Sequence, residues 1–522
     1  MILLQVQQDN SLNSLLITRF QVPNTFNKKL LYLWKYLTVI TMKLRIRILL
    51  LSLLMHGLSV AQDYHYSSDQ FGIQATSLGG AGVAGLEDYS MVYYNAAAMK
   101  MVEKSNLSIS INAYQFRTFN QKNALGPRQD LKSSQLSVVP NILAGILVLK
   151  NKPKWRLGYN VLSKNNYSNK LDLQHQGKYD AVTSTAGFEN IVGSFNFEIH
   201  NNEYWAGIGI GYEVNKRFSI GLTHMGIYKS FSYRNSYKVT AQPDDPSTGD
   251  ISTVYSNVSF NYWDVKIIFK PSILIHYDKF RLGATFTTPT LHILGKGNFE
   301  REFTVQNLDD AIASDISWID REEGRNVKHQ NSAIIGYGIS FKLSKTTWMH
   351  LSGETFLNKP YYLIRKSNAT PNTYPTYISN DITTAVFGEQ NFLSYGESYK
   401  SITNLGVGIS QEFTPRFAMS IGGRTDFNYN QKPEYQFERI VVQSAQYDRI
   451  IGAIGASYIL KSGKKVSLAF ELGSSIPKTT EYPVDFTTPN SAENGLLGNP
   501  AMGTETRAMS YKLMFEISLG KK

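Results

Sequence analysis

The groups able to do acid–base, metal or nucleophilic chemistry are nine histidines and 41 aspartates and glutamates, with no cysteine, in 522 residues. Zero cysteine excludes a disulfide framework, a thiolate zinc site, an iron–sulfur cluster and a Cys nucleophile. The histidines are scattered, and no two share the His-Glu-x-x-His spacing that turns two imidazoles toward one zinc ion. No Gly-x-Ser-x-Gly elbow occurs, and nothing in the pattern selects a serine–histidine pair such as Ser219 and His224. The doublets Asp244-Asp245, Asp309-Asp310 and Glu322-Glu323 fall in polar links and read as solvated surface. Gly80-x-Gly82-x-x-Gly85 has the spacing of a dinucleotide loop. That chemistry needs a buried strand before the loop and a helix after it, so that backbone amides meet a pyrophosphate. Residues 70–79 are no such strand. No catalytic residue, metal site or cofactor is expected, and the chain is not expected to be an enzyme.

The composition says which elements hold these residues. Aromatics reach 12% with 32 Tyr and 27 Phe, Gly stands at 39, charged residues at 18%, and mean hydropathy is −0.24. This is an all-β composition, and it argues against a bundle of membrane helices. The net charge of +12 invites a nucleic-acid reading, until the charge is located. Residues 42–47 are basic, residues 48–60 are apolar, and Ser59-Val60-Ala61 offers small residues before a cleavage point. Residues 42–61 therefore read as a secretory signal peptide. Such a peptide opens a chain, so residues 1–41 read as an over-called start or an extension. Seven basic residues and one acidic residue precede position 62, so half of the +12 leaves with the signal. No nucleic-acid partner is expected.

After residue 61 no run approaches the about 20 apolar residues of a membrane helix. Period-two alternation recurs instead. Ala206, Ile208, Ile210, Tyr212 and Val214 oppose Gly207, Gly209, Gly211 and Glu213. Ile335, Tyr337, Ile339 and Phe341 oppose Gly336, Gly338, Ser340 and Lys342. Leu405, Val407 and Ile409 oppose Gly406, Gly408 and Ser410. Fourteen candidate strands follow: 105–119, 134–150, 155–168, 203–215, 217–232, 257–277, 279–293, 330–344, 347–360, 401–413, 416–430, 447–461, 464–476 and 506–519. Their links alternate short and long, the layout of periplasmic turns and outer loops. A soluble sandwich has no reason to sort its links so. The predicted fold is all-β: a transmembrane antiparallel β-barrel of about 14 strands over residues 105–522.

Trp155 and Trp348 beside short turns, and Trp205 and Trp263 toward long links, are expected in the two interfacial girdles. Trp318 falls in a long loop. Glu213, Asp264, Lys266, Arg281, Lys342, Glu471, Lys512 and Glu516 oppose the apolar stripes and are expected to line a wet lumen. Lys152, Lys216, Arg217, Lys279 and Lys345 make a basic rim at the short turns. That rim and the C-terminus are expected to face the periplasm. Three features fit poorly. Pro140 and Pro271 cannot donate to a ladder. The 155–168 strand loses its alternation after Val161, which reads as a misplaced boundary rather than an opening in the wall.

Fourteen strands enclose a lumen too wide for wall side chains to fill, and residues 62–104 are the candidate plug. Small residues there let one backbone approach another closely. On Phe71-Gly72-Ile73-Gln74-Ala75-Thr76-Ser77-Leu78-Gly79-Gly80-Ala81-Gly82-Val83-Ala84, then Asp88, then Tyr94-Asn95-Ala96-Ala97-Ala98-Met99, the chain resembles the FadL/TodX family. These are outer-membrane channels for long-chain fatty acids and aromatic hydrocarbons. Family members carry a similar Gly/Ala stretch, an acidic position and an Asn-Pro-Ala step. Here Asn95 and Ala97 match, while Ala96 replaces the proline and frees a torsion. The family's C-terminal aromatic is absent.

The resemblance implies a fourteen-stranded barrel with an N-terminal Gly/Ala-rich hatch in its lumen. It also implies passive diffusion of hydrophobic small molecules past a hatch that shifts. It makes Gly79, Gly80, Gly82, Asp88, Asn95, Ala96 and Ala97 the expected ligand-binding or gating residues. Asn95 is expected to act as a pivot, its amide pairing with backbone groups. The expected partners are outer-membrane lipid and a hydrophobic ligand, and the expected location is the cell outer membrane. The shuttle component of type IX secretion is similar to the same family, so a secreted-protein partner is the alternative. A structural or adhesive barrel is a third reading.

Overall fold

The computed structural model describes residues 65–182, 185–307, 316–367, 393–429, 447–482, 484–489, 495–498 and 501–519. The expected signal peptide, the segment before it and the Asp309-Asp310 doublet lie outside these residues.

Alternating apolar and small residues fold here as strands whose apolar side points out. Ile208 is 62% exposed, Leu405 55% and Leu468 50%, a belt that only lipid would cover favourably. The first half of the wall is β1 (Asn106–Lys122), β2 (Leu131–Val148), β3 (Trp155–Tyr179), β4 (Glu189–Asn215), β5 (Phe218–Pro243), β6 (Ser252–His276) and β7 (Phe280–Thr287). Next come β8 (Leu291–Gln306), β9 (Ile316–Asn326), β10 (Ile334–Lys342), β11 (Thr347–Phe356), β12 (Lys359–Arg365) and β13 (Tyr395–Tyr399). The chain closes with β14 (Ile402–Thr414), β15 (Phe417–Asp426), β16 (Arg449–Ile459), β17 (Lys465–Ser475), β18 (Thr480–Tyr482) and β19 (Ala501–Ser518). Fourteen of them form a closed antiparallel barrel: β1 to β7, β10, β11, β14 to β17 and β19, with β19 returning to pair β1.

Four strands outrun the expectation. β3, β4, β5 and β6 have 25, 27, 26 and 25 residues, where about 9–11 suffice to cross a bilayer. The expected long links 169–202, 233–256 and 294–329 are thus largely strand, extended by β8 and β9. Beyond the lipid the outer face meets water, so Lys170, Asp172 and Arg234 are exposed there, and this polarity made the strands read as loops. Their inner face is held by an aromatic cluster that includes Phe195, Phe231, Phe260, Phe299 and Tyr395. Trp318, expected in a loop, lies on β9.

The wall has two interruptions. β2 and β3 pair only from Ile142↔Leu162 down to Val148↔Arg156. Above that point β2 continues along β1 and β3 along β4, with no ladder between β2 and β3 among the described residues. Pro140, without an N–H, stands two residues beyond the last pair. A β-bulge against β4 at Ser163/Asn165 turns β3 away on the other side. The lost alternation after Val161 therefore marks an opening as well as a misplaced boundary, correcting the expectation. The second interruption separates β7 from β8 at residues 288–290. Pro271 lies in the stretch of β6 between its β7 and β8 pairings.

Two tryptophans depart from the girdle. Trp155 and Trp263 are exposed at 39% and 36%, but Trp205 is 3% exposed inside the barrel. Trp348 also points inward, with the Arg281 guanidinium 4.1 Å over its ring. Trp205 shares the side of Gly207 and Gly209, so its direction follows from the strand period.

Candidate functional site

Residues 65–104 fill the lumen and are almost wholly buried. Helix α1 (Ile73–Ser77) starts where the Glu516 carboxylate of β19 accepts the Ile73 amide at 2.8 Å. It ends on Gly79 and Gly80, at φ 65° and 77°, with the Gly80 amide reaching back to the Ala75 carbonyl at 2.8 Å. The glycine motif thus terminates a helix. A dinucleotide would need it to start one, and the fingerprint reading falls on that ground as well.

The wall glycines receive this hatch. A Cβ at Gly283 or Gly338 would collide with the backbone of Val83 or Ala84, and one at Gly406 with the Gly79 carbonyl. A Cβ at Gly221 would fall on the Ala97 amide, and one at Gly79 on Gly423. The small face of β5, β7, β10 and β14, read from sequence as a lumen lining, is at these glycines a seat for backbone. Gly82 packs beside the Tyr94 ring.

Asp88 is buried, and its Oδ1 accepts the Ser90 amide at 2.7 Å, fixing the turn into α2 (Met91–Tyr94). Asn95 follows and caps a 3₁₀ helix (Ala96–Met101), its Oδ1 accepting the Ala97 amide at 3.0 Å. Its Nδ2 donates to the Val83 carbonyl at 2.8 Å and to the Ile273 carbonyl of β6 at 3.0 Å. One side chain therefore joins both halves of the hatch to the wall. Ala96 and Ala97 lie against Gly211 and Gly221, and the Ala97 amide also meets the Ser272 hydroxyl at 3.1 Å. Of the predicted residues, Gly79, Asn95, Ala96 and Ala97 meet the wall, while Gly80, Gly82 and Asp88 pack within the hatch.

Charged residues hold the hatch at residues 65–69 through two clusters. At residues 65–69, Lys512 bonds Asp69, and Lys512 and Arg424 reach Glu471 at 3.0 and 2.8 Å. Asp69 is held below its ordinary range: burial opposes ionisation, but Lys512 and Arg117 outweigh it. The expected wet lining is here a network of buried ion pairs, since Asp264, Lys266, Glu471 and Lys512 are all at most 2% exposed.

A second cluster links the hatch to the outer segments. Tyr66 donates to Glu203 at 2.6 Å, as does the Trp205 indole at 2.7 Å. Asn331 bonds Tyr66. The fully buried Lys266 donates to Asn331 at 2.6 Å and meets His329 at 2.6 Å. Glu397 of β13 accepts from Tyr395 and Tyr399 and lies 3.6 Å from His329. Asp264 and Lys266 were legible as inward charges. His329 and Asn331 lie between β9 and β10, and Glu397 lies on β13 within the expected link 361–400, so no strand period points these three side chains toward one another.

His329 lies outside the spanning strands and is pushed down to about 3 by burial first, then by the Lys266 and Lys229 ammonium groups. A freed imidazole takes a proton near its ordinary 6.5, whereas the buried one does not until about 3. The cluster therefore has its full stability above pH 6.5 and loses it as pH falls through that window. Limited proteolysis at residues 327–333 should be faster at about pH 4.5 than at about pH 7.5, and equal rates would contradict this assignment.

No protein-family model and no curated protein matches the sequence. Among solved structures, the toluene transporter TodX of P. putida aligns over 86% of this chain and 98% of its own, at 11% identity and a TM-score of 0.53. A Pseudomonas aeruginosa FadL homologue aligns over 87% and 98%, at 12% identity and a TM-score of 0.49. A TodX mutant, described as a monoaromatic hydrocarbon channel, aligns over 87% and 99%, at 9% identity and a TM-score of 0.50. At such identities the likeness is one of backbone path: this chain has the fold of the FadL/TodX-type outer-membrane channels.

Proposed function

We propose that the protein is an outer-membrane channel for passive uptake of hydrophobic small molecules, long-chain fatty acids or aromatic hydrocarbons, gated by its hatch. The observation that carries this reading is the seam between β2 and β3. It begins at Ile142 and Leu162, both packed in the same apolar cluster as the hatch. A solute that displaces the hatch there meets a wall without a ladder, and lipid beyond it. Leu136 and Val138, at 65% and 66% exposure, stand on the outer face of that edge. The TodX-like fold supports a channel, and toluene transport by TodX supports an apolar cargo. The basic rim of Lys152, Lys216, Arg217, Lys279 and Lys345, all exposed, faces the periplasm in this reading, with the C-terminus beside it.

Apolar transfer is worth about 0.8 kcal/mol per buried CH₂. Binding to the purified barrel should therefore strengthen about threefold to fourfold per methylene until the path is filled. Titrating straight-chain ligands of increasing length measures this, and a flat response would sink the reading.

A further inference from the structure

Lys164 is the extra residue of the bulge in β3. Ser163 pairs with Tyr204 of β4 and Asn165 with Glu203, which leaves Lys164 without a ladder partner on β4. The bulge changes which side of β3 faces inward. Below it the even-numbered Asn160 and Leu162 are buried, and above it the odd-numbered Asn169 and Leu171. Lys164 is buried with the even set, two positions above the last pair that β3 makes with β2.

Its ammonium group sits in a cage made by the hatch. Nζ donates to the Tyr66 carbonyl at 2.7 Å. It stands 4.9, 5.4 and 5.6 Å from the ring centroids of Tyr66, Phe71 and Tyr93. No carboxylate forms an ion pair with it among the described residues. A buried ammonium is costly unless its surroundings replace water, and a ring face holds a cation only in contact. Here the carbonyl and all three rings belong to the hatch, so a hatch that recedes removes them together. The ammonium must then turn to water, and the bulge that sets the phase of upper β3 loses its anchor. An uncharged side chain of the same length has no such requirement and leaves the two movements independent.

We propose that Lys164 is the positioning residue that couples the hatch to the seam. Caged, it fixes the bulge and with it the edge of β3 that faces β2. Uncaged, it lets that edge move. The proposal rests on the channel reading and supplies its internal regulation.

The test uses the full chain in neutral detergent, with spin labels on Leu136→Cys of β2 and Lys170→Cys of β3, both exposed. The chain has no other cysteine. Distances between the labels should form one narrow population when Lys164 is present. Lys164→Met should raise a more widely separated population about tenfold, and Lys164→Arg, which keeps a cation and donors, should restore the narrow one. Phe71→Leu removes one ring of the cage. It should widen the distribution beside Lys164 and add nothing in Lys164→Met, whereas a general loss of packing would widen both. A Lys164→Met distribution equal to wild type would overturn the proposal, as would equal widening by Phe71→Leu in both backgrounds. If Lys164→Met fails to fold, Phe71→Leu alone decides, and an unchanged distribution overturns the coupling. Toluene uptake into vesicles separates the two readings. If toluene crosses while Lys164→Met leaves the distances unchanged, the channel reading stands and the coupling fails. If Lys164→Met widens the seam but toluene crosses no faster than through protein-free vesicles, the channel reading fails and the coupling stands.

Discussion

Oxidised Ser77→Cys/Gly455→Cys should lose uptake by about tenfold or more, and a reductant should restore it. Ser77 closes helix α1, and Gly455 lies on β16 of the wall. A Cβ at Gly455 would lie 2.6 Å from the Ser77 Cβ, against about 3.8 Å in an unstrained disulfide. The pair can therefore join after the hatch recedes by about 1 Å. The chain has no cysteine of its own, so no other bridge competes. A covalent tether removes the displaced state outright, which no single hydrogen bond can do. The hatch otherwise rests on many weak contacts, the wall glycines and the Asp69 and Glu516 bonds, which solute binding could offset together. Equal uptake in oxidised and reduced protein would mean that solute passes without moving α1.

Asn95→Ala should act in the opposite direction and raise leakage. The substitution removes one cap bond and two amide donors, one of them to the wall. The Val83 and Ile273 carbonyls are then left facing a methyl group in a buried place. At about 1 kcal/mol for each bond, the closed hatch loses about 2–3 kcal/mol. The displaced state then rises by about 30-fold to 150-fold relative to wild type. Swelling of vesicles in small neutral sugars reads that population directly. Permeability equal to wild type would remove Asn95 from gating, and leave it as the cap of a short 3₁₀ helix.

Much of the channel fold is legible in the sequence. Residues such as Ile208 and Leu405 needed an apolar partner on one side and had glycine opposite, which a sandwich would also allow, and the sorting of short and long links favoured a lipid-facing barrel. The hatch was legible through Gly79, Gly80 and Asn95, because few other residues take a left-handed turn or pair with stray backbone groups. The outer halves of β3 to β6 were not, because strands that leave the bilayer exchange their apolar face for a charged one. The type of those segments was then decided by the aromatic cluster beneath them, drawn from several strands and β13.

Sequence by itself determined the strand period, the alternation of short and long links, and which side of each strand is small. These are local properties, set by how a residue's neighbours two places away present themselves. Tertiary structure alone decided that the small side receives backbone rather than water. It also decided that Lys266, His329 and Glu397 meet Tyr66, and that the wall parts at Ile142 and Leu162. Each of these depends on registers between segments far apart in the chain. Pro140 and the broken alternation after Val161 were local signs of the seam. Their meaning came only in the sheet, where β2 keeps its ladder to β1 and β3 its ladder to β4 while, among the described residues, the two edges that face each other above Ile142 and Leu162 carry no ladder.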